Sequence, residues 1–274
     1  MVTSIFLLCY NEYIFTHYNN LGDVMIIKET ITIPYLQEER KLHIYVPDHK
    51  TQERFPVLYM FDGHNLYYNE DATYGKSWGL KEYLDALNAQ IIVVGIECSH
   101  EGRNRLNEFS PYTFNSPNLG YIKGSGKQFF DWMIHDLKQH IDATYPTLSD
   151  AKHTNVGGSS MGGLMAVYGG AMHADIYSKA VCVSTAYSNG FDQLMDEITK
   201  QKDYTNSMFY LSFGEYEAND KDYFALMTNK NCTCANLLQE KGAKTYINCV
   251  LKGTHNEASW EKELDVFFKE LNIL

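Results

Sequence analysis

Three continuous apolar runs, Pro56–Phe61, Gln90–Ile96 and Ala180–Val183, restrict the possible folds of this chain more than any other feature. A strand with one wet face alternates polar and apolar residues. A strand covered on both faces does not, so runs of this kind belong to a parallel sheet enclosed by helices. Met208–Phe213 and Thr245–Leu251 read as two further strands. Ahead of them, Ile26–Ile33 and Lys41–Pro47 mostly alternate, which predicts a half-exposed pair joined as a hairpin through Glu38-Glu39-Arg40. Helical spacing is expected over Trp78–Leu87, Lys127–Leu137 and Trp260–Leu271, the last with Leu264, Phe267, Phe268 and Leu271 on one face. The sum is an α/β fold: a mixed, mostly parallel sheet of about eight strands with helices on both faces.

The 274 residues from end to end carry no repeats, low-complexity tracts or linkers. One domain is expected over 25–274, with 1–24 set apart as an N-terminal extension. Within that extension Ser4–Tyr10 is apolar but short, with neither a positive flank nor a small-residue cleavage site, so it suits neither a signal peptide nor a membrane span. A net charge of −11 with no Lys/Arg cluster argues against nucleic acid or an anionic membrane as partner. Six cysteines are too few for a disulfide scaffold in a chain this long, which points to a reducing cytoplasm. Cys232-Thr233-Cys234 has no second cysteine or histidine pair nearby, and neither a metal nor a cofactor is expected. Oligomeric state is left open by the sequence.

Gly158-Ser159-Ser160-Met161-Gly162 carries the chemistry. His153–Val156 before it reads as a strand and Gly163–Tyr168 after it as a helix. A strand, a sharp turn and a helix hold a serine hydroxyl out at the carboxyl edge of a sheet, and the flanking glycines allow the tight backbone approach. Only Ser160 has glycine at both −2 and +2. A serine needs a positioned base, and in sites of this type an acid and then a histidine follow it in the chain. His153 sits at the far end of the entering strand and His173 a helix length beyond the serine. His255, in the loop after the last strand, reaches the right edge. The acid is sought after the preceding strand, where Glu217 is favoured over Asp220 and Glu215. Attack on a carbonyl also requires donors for the oxyanion. The backbone N–H of Met161 and that of His64, in Phe61-Asp62-Gly63-His64-Asn65, are the candidates.

These segments resemble the esterase family of the α/β-hydrolase superfamily, the group holding enterochelin-type esterases, feruloyl and acetylxylan esterases and S-formylglutathione hydrolase. The matching stretches are Val57–Gly63, Gly75–Trp78, Arg105–Pro111, Gly157–Gly163, Gly214–Glu217 and Gly253–Asn256, in the family's order over 25–274. The resemblance implies Ser160 as nucleophile, His255 as base and Glu217 as acid, with Met161 and His64 as oxyanion amides. It also implies Trp78 and Arg105 as residues near the substrate cleft. The expected activity is a cofactor-independent serine carboxylesterase working through an acyl-enzyme on small or soluble acyl groups. The segment 101–126 is the one long loop available to shape a pocket, and there is no insertion for a large lid. An acyltransferase using the same residues, or a binding protein on the same scaffold, are the alternatives.

Overall fold

The computed structural model describes residues 25–116, 119–187, 190–218 and 220–274; the proposed extension over 1–24 lies outside them. An eight-stranded sheet spans the molecule. In chain order its strands are β1 (Ile27–Ile33), β2 (Glu38–Tyr45), β3 (Val57–Phe61) and β4 (Ile92–Ile96). A two-stranded ribbon follows, β5 (Phe114–Ser116) with β6 (Gly120–Ile122). The large sheet resumes with β7 (Thr154–Ser159), β8 (Lys179–Val183), β9 (Met208–Gly214) and β10 (Lys244–Val250). Its spatial order is β1-β2-β4-β3-β7-β8-β9-β10. β1 pairs antiparallel with β2, and β2 antiparallel with β4, while every later neighbour is parallel. The sequence expectation of a mixed, mostly parallel sheet of this size is met.

The apolar runs are explained by two separate cores. On one face Val57, Tyr59 and Phe61 of β3 join Ile92, Val94 and Ile96 of β4. On the other, Leu58 and Met60 join Val93, Val181 and Val183. Successive side chains point to opposite faces, so a strand roofed on both sides must be apolar at every position.

The first core is covered by α3 (Gly126–Trp132), which passes through a π-turn (Met133–Leu137) into α4 (Lys138–Thr144), by α5 (Met161–Met172), and by α6 (Phe191–Lys200) and α7 (Lys221–Glu240). The second is covered by α1 (Leu80–Ala86), α8 (Glu257–Trp260) and α9 (Leu264–Glu270). Leu264, Phe267, Phe268 and Leu271 are all buried there, as their spacing predicts. The remaining short helix α2 (Asn104–Glu108) and the β5–β6 ribbon occupy the segment expected to be one long loop. Neither α6 nor α7 was anticipated.

One boundary differs instructively. The helix expected from Trp78 begins at Leu80. The N–H groups of Trp78 and Leu80 are instead donated to the carbonyls of Asn65 and Leu66, at 2.9 and 3.0 Å. Those bonds tie the segment to the loop after β3 before helical geometry can start. Among the described residues no helix is long and apolar enough to cross a membrane.

Candidate active site

Ser160 follows β7 directly and adopts φ 58°, ψ −119°, a region that side-chain-bearing residues rarely occupy. The conformation is held from three sides. Its N–H donates to Val183 O at 3.0 Å, and its carbonyl accepts from Leu164 N at 3.1 Å and Ala186 N at 3.0 Å. The flanking glycine at 158 is required by space: a Cβ there would lie 2.8 Å from the backbone of Gly162. β7 sits between β3 and β8, so the serine emerges at the middle of the sheet's carboxyl edge.

His255 lies in the loop after β10, and Glu217 in the loop after β9. Their side chains meet, His255 Nδ1 to Glu217 Oε2 at 3.0 Å. Close backbone approach makes this possible: a Cβ on Gly214 would fall 2.4 Å from Gly253 O, and Tyr216 N donates to that same carbonyl at 2.7 Å. The other carboxylate oxygen, Glu217 Oε1, accepts from Ser184 Oγ and from the Gly214 N–H, both at 2.6 Å. Ser184 Oγ accepts in turn from Trp260 Nε1 at 2.8 Å. Burial pushes the Glu217 carboxyl upward in pKa, but the donors from His255, Ser184 and Gly214 outweigh it and hold the group below the usual carboxylate range. The competing acids are engaged elsewhere. Glu215 accepts from Lys252 N at 2.9 Å, and Asp220 caps α7 through Asp222 N at 2.9 Å.

Ser160 and His255 line one cavity of about 300 Å³ with Asp62, His64, Cys98, Arg105, Glu257 and Trp260 among its walls. Asp62 and Arg105 form a two-pronged ion pair, Nε to Oδ1 and Nη2 to Oδ2, each 2.7 Å. Burial alone would raise the Asp62 pKa, yet the guanidinium wins and lowers it. Arg105 is thus both a cavity residue and half of a structural pair. His64 sits in a tight turn after β3, with Nε2 bound to Thr73 Oγ1 at 2.9 Å. Met161 is the first residue of α5. Trp78 requires correction. It is 2% exposed, packs tilted against Trp260 at 5.7 Å and edge to face with Phe267 at 6.5 Å, and is absent from the cavity wall. Its indole belongs to the second core.

The profile of the family described as "Putative esterase" matches residues 33–271, most of the chain. The chain belongs to this esterase family. By class it is a carboxylic ester hydrolase. Solved structures agree on the fold of this esterase. A ferulic acid esterase superposes with TM-score 0.68 at 14% identity, covering 92% of this chain and 100% of that one. The enterobactin esterase FES from Shigella flexneri gives 0.68 at 17% identity over 92% of this chain and 60% of that one. The siderophore hydrolase EstB from Aspergillus nidulans gives 0.66 at 16%, over 90% and 96%. No curated protein matches the sequence.

Two residues that extend the Glu217 hydrogen-bond chain at the candidate site escaped the sequence reading, Ser184 and Trp260. Ser184 stands just past β8, at the same sheet edge as Ser160, and that position was the available signal. A third buried group lies behind them. Glu263, 2% exposed, accepts from Tyr210 OH at 2.8 Å, and Tyr210 OH accepts from Asn248 Nδ2 at 2.7 Å. Burial pushes its pKa up to about 7, with Ser212 and Tyr210 as partial relief. An acid with a folded pKa above its unfolded value near 4.3 costs stability as pH rises between the two. Glu263→Gln keeps the acceptor and cannot ionise. Its Tm relative to wild type is therefore expected to climb from pH 5 to pH 8; a pH-independent difference would remove this titration.

Proposed function

We propose that this esterase is a serine hydrolase that works through an acyl-enzyme on small or soluble acyl esters. The carrying observation is the 3.0 Å contact of His255 Nδ1 with Glu217 Oε2, made at the cavity that Ser160 also lines. With Nδ1 engaged by a carboxylate, His255 presents Nε2 as the basic nitrogen. Ser160 Oγ attacks the ester carbonyl carbon while its proton passes to Nε2. The tetrahedral oxyanion takes hydrogen bonds from the backbone N–H groups of Met161 and His64, the former at the positive end of α5. The C–O bond to the alcohol breaks as Nε2 returns the proton to the leaving oxygen. Water then attacks the acyl-enzyme, losing its proton to the same nitrogen, and the acid departs as Ser160 regains its hydrogen. Glu217 fixes the imidazole tautomer and stabilises the imidazolium between steps.

Arg105, neutralised by Asp62, shapes one wall of the cavity, whose lining mixes charged and hydroxyl side chains with aromatic ones. Five unpaired cysteines among the described residues, Cys98, Cys182, Cys232, Cys234 and Cys249, support a reducing cytoplasm as its setting. The sheet supports one catalytic domain from residue 25 onward. A fluorophosphonate probe is expected to label the protein once, at Ser160, followed by turnover of short soluble esters in a substrate panel. A protein that stays unlabelled would remove the serine mechanism. Acyl transfer to an added alcohol in preference to water would recast the enzyme as a transferase.

A further inference from the structure

β3 and β4 are neighbours, and both end at the edge where the cavity opens. The turn after β3 carries His64, and the segment after β4 carries Cys98 and His100. One donor atom from each of these three lies within 4.8 Å of the other two. His64 and Cys98 are 4% and 5% exposed, and the two imidazoles meet edge to face at 4.8 Å. Among the described residues it is the one grouping of this kind.

The hydrogen bonding around it has a particular form. His64 gives Nε2 to Thr73 Oγ1 at 2.9 Å, while its Nδ1 is buried without any partner. A buried imidazole nitrogen with nothing to bind is costly, and such a group calls for a partner such as a water or an ion. His100 Nε2 lies 3.3 Å from Glu97 Oε2, and Glu97 Oε1 is anchored by His43 Nε2 at 2.7 Å. Metal-binding histidines ordinarily have one ring nitrogen fixed by a hydroxyl, carboxylate or carbonyl so that the other faces the ion. Both histidines have that arrangement, through different outer partners.

We propose that His64, Cys98 and His100 form a binding site for a thiophilic divalent ion of the Zn²⁺ type in the wall of the cavity. One sulfur and two imidazole donors favour such ions over Mg²⁺ or Ca²⁺, which seek oxygen. Tetrahedral ligation at roughly 2.0–2.3 Å draws the donors closer than they stand. His100, whose side chain is 58% exposed, has room to move inward about its Glu97 contact. Three protein donors leave the fourth position for water or for a donor atom of a molecule in the cavity. Binding forms the metal–sulfur bond as the Cys98 proton leaves to solvent, with no change of oxidation state. Spacing in the sequence does not reveal this site, because its ligands come from two loops 34 positions apart that only the pairing of β3 with β4 unites.

Cd²⁺ titration of the full chain tests it without reference to esterase turnover. Wild type is expected to take up one Cd²⁺ with the near-ultraviolet band of a cadmium–thiolate bond, and Zn²⁺ should displace it. Cys98→Ser, almost isosteric, should lose the band. His100→Ala, at an exposed position where folding is not at stake, should weaken binding by ~10-fold or more. A folded wild type with no saturable band overturns the site. So does a band and affinity that persist unchanged in either variant, since other cysteines would then be the source.

Discussion

Ser160→Ala is expected to lower kcat toward a short-chain p-nitrophenyl ester by roughly 10⁴-fold or more, with little change in KM. The variant removes the Oγ proposed to attack and leaves the main-chain bonds that hold this turn. The backbone bonds to Val183, Leu164 and Ala186 are made by main-chain atoms, and alanine has the same Cβ at the same φ of 58°. Tm should therefore stay within a few degrees of wild type. Measured together, an unchanged melting curve and a collapsed kcat isolate chemistry from folding. The remaining rate should still exceed the reaction in water, because oxyanion donors and binding act without the nucleophile. Retention of the wild-type rate in a folded variant would take the attacking role away from this serine.

How much of this was legible in the sequence depends on whether the deciding contact was local. The central strands were readable because each residue of Val57–Phe61 meets one of two cores, and full burial leaves a run with no polar break. The serine turn was readable because its glycines lie two residues to either side, and the clash they avoid is equally local. Trp78 was misplaced because an indole at a cleft and an indole in a core look alike in sequence; bonds from Trp78 and Leu80 to Asn65 and Leu66 turn this one inward. α7 was missed because Asn229, Asn231, Thr233 and the two cysteines are weak helix formers. Its helix is held by burying Met227, Cys234 and Leu238 against the sheet. The acid was ambiguous for the same nonlocal reason. Glu215, Glu217 and Asp220 lie within six positions, and what separates them is where the β10 loop passes.

Glu217→Ala is the experiment that uses that contact, with an expected loss in kcat on the order of 10³–10⁴. In the proposed mechanism, His255 without the carboxylate loses the partner that sets its tautomer and offsets its charge as it takes the serine proton. A structural penalty accompanies the kinetic one. The Ser184 hydroxyl and the Gly214 N–H, each 2.6 Å from Oε1, lose a charged acceptor in an enclosed place. Hydrogen bonds to charged groups contribute about 1.5–3 kcal/mol each, so a lower Tm is expected alongside the slower enzyme. The sign of the pH dependence separates this charge from simple loss of packing. Glu217 has its folded pKa depressed, so its stabilisation is complete above the unfolded value near 4.3 and disappears as pH falls through the folded one. The Tm gap between wild type and variant should thus be widest at neutral pH and close in acid. A gap that stays constant into acid would mean that packing, not ionisation, is what the carboxyl supplies. Full activity in Glu217→Ala together with an inactive Asp220→Ala would move the acid to the residue that caps α7, and the contact with His255 would then be structural.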